Sequence, residues 1–270
     1  MIRSASALSK SHWNAVATSR RCGRARSWRR STAAATLRPS SSCSGSIAAI
    51  AGRRNDGRSS SSSSSNGKRP RFRADANRAW DVASARAFVD ELRRASDSAL
   101  DAIEFVEEPL EAQTDNGGRR DLGVQVAALE AFADGGGLGY ALDETLADLA
   151  VLRDRDFDWI AADLRGAFGG ESAGRTGCVA FVLKPALLGL ELSMRIAKLA
   201  RGELGIAPVF SSSFDSGIGL AYAAILAAVA DDSPRSSSSS SLERFSHGLG
   251  TFGMLRGDTL SPPFESYVNE

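Results

Sequence analysis

Residues 178–185 read CVAFVLKP: six apolar residues, then a lysine, then a proline. So short and continuous an apolar run reads as a strand buried on both faces, as strands of parallel sheets are. Lys184 stands where that strand ends. The chain has four lysines (Lys10, Lys68, Lys184, Lys198) against 29 arginines, and places this one where burying a charge is costly. Its position asks for a purpose.

Similar runs lie on either side. RFRADA (71–76), IEFVEEP (103–109), YALDET (140–145), CVAFVLKP (178–185), APVFSSSF (207–214) and SHGLGTF (246–252) recur every 29 to 39 residues. The first five are each followed by a stretch of helical character. After the first, Ala85, Phe88, Val89 and Leu92 fall at i, i+3, i+4 and i+7; after the fifth, Tyr222, Ile225, Leu226 and Val229 do the same. Strand and helix alternating at that spacing predict βα units and a parallel sheet, in a (β/α) barrel or a doubly wound sheet.

The polar residues decide between the two. Asp75, Glu107, Asp143, Lys184 and Ser211–Ser213 come at the C-terminal ends of five successive strands. A (β/α)₈ barrel builds its active site at that rim, one residue from each strand. Three carboxylates converging there make a set of hard oxygen donors that suits Mg²⁺. Each has a blander reading: Asp143 in ALDETL fits a helix N-cap, and Glu108 would point away from its neighbour Glu107. Three in consecutive units at the same strand end favour the metal. Lys184, one unit further on, is then expected to bring its ammonium into the same mouth, rather than reach back to water.

Composition narrows the function classes. Residues 1–70 carry a balance of +13, and residues 71–270 one of −12. So acidic a body argues against a nucleic-acid surface. Residues 1–69, rich in Ser, Ala and Arg, read as an unstructured, transit-peptide-like leader. That points to a plastid, with the mitochondrion as the alternative. The serine tracts Ser59–Ser65 and Ser236–Ser241 read as exposed linkers. Cys22, Cys43 and Cys178 have no metal-ligand spacing, and Cys178 reads as a buried small hydrophobe. No apolar stretch is long enough to span a bilayer.

In order along the chain, RADANRAW, IEFVEEPL, ALDET, VLKPALLG, SSSFDSGIGL and HGLGT resemble the barrel of the enolase superfamily, and within it the o-succinylbenzoate synthase family. The resemblance covers about residues 70–255, leaving 256–270 as a C-terminal tail. It implies an incomplete (β/α)₈ barrel of about six βα units, with Mg²⁺ on Asp75, Glu107 and Asp143. Lys184 then faces the reacting carbon of a small carboxylate substrate. Ser211, Ser212, Ser213, Gly248, Gly250 and Thr251 line the rest of the rim, Arg73 pairs with a substrate carboxylate, and Asn77 and Glu144 orient the ligands. The implied chemistry is proton removal next to a carboxylate, then loss of hydroxide, on the route to menaquinone or phylloquinone.

The chain also departs from that pattern. The family's capping domain has no counterpart before residue 70, and two of the eight strands are not found. Where a K-x-K motif supplies the general base, AAIAGRR (48–54) puts Ala48 and Ile50, and Lys68 lies at the wrong end of its strand. Three accounts fit: an incomplete gene product, a module that a second polypeptide completes, or an inactive metal-binding relative. Another superfamily reaction, dipeptide epimerisation or cycloisomerisation, is the alternative within the class.

Overall fold

The structure, a computed structural model, describes residues 71–169, 177–232, 245–251, 254–255 and 257–259, and the backbone of 14–18. Ala48, Ile50, Lys68, Cys22, Cys43 and both serine tracts lie outside the described residues. The chain forms two compact units, Met1–Glu111 with Gly135–Leu138, and Ala112–Asp134 with Gly139–Glu270.

In the first unit, β1 (Asn14–Thr18) runs antiparallel to β2 (Arg71–Asp75), and β2 pairs in parallel with β3 (Ile103–Glu107). So one strand falls within the segment expected to be an unstructured leader. The crossover from β2 to β3 is α1 (Val82–Ala95), followed by the short α2 (Asp97–Asp101). The Asp81 carboxylate caps α1 by accepting from the Ser84 backbone N–H at 2.7 Å, satisfying a donor that the first turn leaves open. The expected face of α1 is the one it buries: Ala85, Val89 and Leu92 are inside, and Phe88 lies 4.8 Å, ring to ring, from Trp80.

Along the chain, β3 is followed by α3 (Leu122–Gly136). The second unit holds β4 (Tyr140–Leu142), α4 (Glu144–Leu152), α5 (Phe157–Phe168) and β5 (Cys178–Leu183). There follow α6 (Pro185–Leu188), α7 (Leu190–Leu199), β6 (Ala207–Phe210) and α8 (Gly217–Asp232). One π-helical turn, Ala200–Leu204, extends α7 and ends at Gly205 in the left-handed conformation (φ 69°). β4, β5 and β6 are parallel neighbours. Every residue of β4 and β6 is buried, and all of β5 except Val179, which is why CVAFVL carries no polar alternation. Cys178 is buried, as its place at the head of that strand suggests.

The class is therefore α/β, built of the βα units from which a (β/α)₈ barrel is made. Two expectations change in detail. The sixth run, SHGLGTF, contributes a single parallel bridge, Ser211 to Gly248, and no strand among the described residues. On α8 the buried side is Gly217, Leu220, Ala223, Ala227 and Ala230, whereas Ile218, Tyr222, Ile225 and Val229 are 47 to 58% exposed. The helix packs inward through its small residues, which allow close approach, and turns the bulky stripe outward. No helix among the described residues is long and apolar enough to cross a membrane.

Candidate active site

In the first unit Asp75 and Glu107 are the last residues of β2 and β3, and their Cα positions are register partners. Parallel register puts partnered residues on one face of the sheet, so both carboxylates leave the strand ends on the same side. The ladder runs one step further, with Ala76 N donating to Glu107 O at 2.9 Å. There the backbone turns. Asn77 (φ 46°) and Arg78 (φ 54°) are left-handed after Asp75, as is Glu108 (φ 39°) after Glu107.

Three of the six left-handed non-glycine residues among those described thus lie within three residues after these two acids. Such conformations cost on the order of 1–3 kcal/mol each, and persist only where their surroundings fix them. Three contacts do so. Asn77 N donates to Asp75 Oδ1 at 3.0 Å, Arg78 N to Glu108 O at 2.9 Å, and Arg78 Nε to Glu108 Oε2 at 3.2 Å. The Glu108 side chain is fully buried, and that of Arg78 is 14% exposed.

Two further residues of this unit were expected at the rim. Asn77 is exposed, and its backbone N–H, through that bond to Asp75, is the part that orients a candidate ligand. Arg73 lies two residues back along β2 with Nε 2.7 Å from Glu104 Oε2 and its guanidinium 4.8 Å from the centroid of Phe105. Glu104 occupies the β3 position skipped where the register shifts, so the bulge supplies the partner.

In the second unit Asp143 directly follows β4, and Lys184 directly follows β5. Asp143 stands at the N-cap position of α4, yet its side chain makes no capping hydrogen bond. Its Oδ2 accepts instead from Lys184 Nζ. The Asp143 side chain is 3% exposed and that of Lys184 21%, so a nearly buried carboxylate faces a partly buried ammonium. The backbone of Lys184 is extended (φ −106°, ψ 95°), the region required before a proline, and Pro185 opens α6, where a missing N–H costs nothing. Glu144 opens α4 beside Asp143.

The run after β6 folds against HGLGT. Gly248 N donates to Phe210 O at 2.7 Å, and Ser212 N to Gly248 O at 3.1 Å. The Ser212 and Thr251 hydroxyls are 2.5 Å apart. A Cβ on Gly248 would lie 2.9 Å from Ser211 Oγ, so glycine is what lets the segments meet. Ser213 N donates to Asp215 Oδ2 at 3.1 Å, while Ser213 Oγ is buried with no hydrogen-bond partner among the described residues. Gly250 is exposed, with open space where a side chain would be.

The structure therefore joins Asp75 with Glu107, Asp143 with Lys184, and Ser211 and Ser212 with Gly248 and Thr251. Among the described residues no three His, Cys, Asp or Glu side chains cluster closely enough to hold a metal. Sequence reasoning missed the Arg78–Glu108 pair, although the doubled acid of EEP carried a signal for it. It also missed His247, whose Nδ1 accepts from Phe210 N at 3.0 Å and whose Nε2 lies 3.5 Å from Asp231.

Comparison with known proteins gives the following. No family model matches the chain. Over 158 residues, 58% of this chain, it is 31% identical to the o-succinylbenzoate synthase of Enterobacter sp. (strain 638), and the match covers 38% of that protein. The o-succinylbenzoate synthase of Escherichia coli (strain K12) is likewise 31% identical, over 157 residues, with the same coverage of 58% and 38%. The chain thus spans well under half the length of these curated relatives. Among solved structures, MenC from Desulfotalea psychrophila LSv54 aligns with a TM-score of 0.46 and 25% identity, over 70% of this chain and 41% of that one. The o-succinylbenzoate synthase of Thermosynechococcus elongatus BP-1, solved with Mg in its active site, aligns with a TM-score of 0.41 and 23% identity, over 73% and 48%.

Proposed function

We propose, from the chain's sequence relationship to the o-succinylbenzoate synthases of the enolase superfamily, that it serves dehydration of that type. A proton leaves the carbon next to a carboxylate, and hydroxide then leaves the neighbouring carbon as water. The supporting observation is the ion pair between Asp143 and Lys184 at the ends of β4 and β5. A generic βα domain would use Asp143 as a simple helix cap, and its side chain does not cap.

Asp75 and Glu107, register partners in the first unit, are hard oxygen donors of the kind that would hold Mg²⁺, and the resemblance adds Asp143 to the set. When bound, Mg²⁺ neutralises charge developing on the substrate carboxylate. Lys184 Nζ supplies a second positive charge whose direction Asp143 fixes, suited to stabilising the enediolate. Ser211, Ser212, Gly248, Gly250 and Thr251 offer hydroxyls and amides to a second carboxylate. Ser213 Oγ is a buried polar group that such a ligand would satisfy. Arg73, held by Glu104, keeps the charge of the β2–β3 edge balanced and is placed beside the substrate only by the resemblance.

One observation favours a second reading. Ala48 and Ile50 stand where the resemblance puts the base, and an inactive metal-binding chain would need none. Epimerase or cycloisomerase chemistry would leave the metal ligands the same. The leader-like composition of residues 1–69 supports a plastid location, which N-terminal sequencing of the protein recovered from plastids checks. The deciding experiment is Mg²⁺-dependent conversion of 2-succinyl-6-hydroxy-2,4-cyclohexadiene-1-carboxylate, with Lys184→Ala beside it. Turnover that this substitution abolishes supports the synthase; a folded chain that turns nothing over supports the inactive reading.

A further inference from the structure

We infer that Arg78 and Glu108 are positioning residues, a clamp that sets the separation of the Asp75 and Glu107 carboxylates and so governs divalent-metal affinity. The inference rests on the metal reading proposed above. Its basis is a closed circuit. Glu107 and Asp75 are register partners; Arg78 comes three residues after Asp75, and Glu108 one after Glu107. Arg78 joins Glu108 twice, by backbone N–H to carbonyl (2.9 Å) and by guanidinium to carboxylate (3.2 Å). Both residues are left-handed without being glycine, so the turns they make are held by these contacts and not by intrinsic preference.

Glu108 has no access to solvent, and a carboxylate placed there needs a cationic partner, which Arg78 supplies. If the pair served stability alone, it could sit anywhere along β2 and β3. It sits instead on the two turns that directly continue the strands ending in both acids. Residues that orient ligands through a second layer of hydrogen bonds typically change metal affinity about 10- to 100-fold when altered.

The test titrates Mg²⁺ by calorimetry into the full chain, into Glu108→Gln and Arg78→Lys, and into Asp75→Asn as a ligand control. The expected result is binding by the parent, none by Asp75→Asn, and affinity weakened about tenfold or more in both clamp variants, with their metal-free far-UV spectra unchanged. Parent-like affinity in the clamp variants overturns the inference while leaving the metal reading intact. Failure of both variants to fold overturns it as well, because the pair is then purely structural. No binding by the parent overturns the metal reading and the inference with it.

Discussion

Lys184 Nζ donates to Asp143 Oδ2 across the ends of two neighbouring parallel strands, and the carboxylate is almost wholly out of water. The two charges therefore depend on each other. Removing one partner of a buried pair leaves the other unsatisfied, whereas removing both does not. Lys184→Ala should destabilise the fold by about 3 kcal/mol. Lys184→Ala combined with Asp143→Ala should cost less than the sum of the two, with a coupling of about 1–3 kcal/mol. Urea denaturation of the four proteins completes the cycle, and additive values would mean the pair contributes nothing.

Metal binding should appear as stability. If Asp75, Glu107 and Asp143 hold Mg²⁺, free metal at 100 times its Kd adds about 2.7 kcal/mol by mass action. The melting midpoint should rise with Mg²⁺ concentration in the parent and stay flat in Asp75→Asn and Glu107→Gln. A midpoint indifferent to Mg²⁺ in the parent would remove the ligand assignment.

Gly248→Ala should be costly for a reason a sequence alone conceals. Its Cβ would stand 2.9 Å from Ser211 Oγ, so the bridge between the two segments must open or Ser211 must move. A loss of about 1–3 kcal/mol is expected from the forced repacking. Gly250→Ala, with open space around it, should fall within about 0.5 kcal/mol of the parent. Equal effects at the two glycines would contradict the geometry.

The two faces of α8 make opposite predictions. Leu220→Ala removes a side chain 6% exposed and should cost about 2–5 kcal/mol. Tyr222→Ser changes one that is 50% exposed and should cost no more than about 0.5 kcal/mol. Chemical denaturation of both variants tells them apart, and a large loss from Tyr222→Ser would mean that side chain is packed.

Acid should weaken the protein partly through two carboxylates. The Ser84 backbone N–H holds the Asp81 carboxyl below its ordinary value, and the hydrogen bond from Arg165 does the same for Glu203. Both are lower in the folded state than in the unfolded one. Their stabilisation is complete above the ordinary carboxylate range, and is lost as pH falls from about 4 through the lowered values. Asp81→Asn should flatten the fall of the urea midpoint over that range. Glu203 lies in an exposed pair, and Glu203→Gln should flatten it less.

Much of this was legible in the sequence. The buried strand β5 leaves a continuous apolar run, so its end and Lys184 could be read off; β2, half-buried throughout, and β3 were legible by their spacing along the chain, and with them Asp75 and Glu107. The faces of α8 could not. It carries no charge before Asp231, so periodicity sees apolar residues on every side, and residue size misleads where small residues make the inner contact. The bridge at Gly248 was overread as a strand, since glycines and a histidine flank only a few apolar residues there. The Arg78–Glu108 clamp depends on left-handed backbone at residues that are not glycine, which residue type does not announce. Asp143 fitted a cap by position, and only its hydrogen bond to Lys184 decides otherwise.

Pro185 has a consequence for how Lys184 is held. A lysine side chain is among the most mobile in a protein, and fixing it loses up to about 2 kcal/mol of rotational freedom. The ring that follows already confines the lysine backbone to extended conformations in the unfolded chain, so less disorder remains to be surrendered on folding. The residue after the lysine thus acts as a rein on it without touching substrate, metal or acid. Loosening it would raise the cost of ordering the lysine on folding and leave every functional group in place.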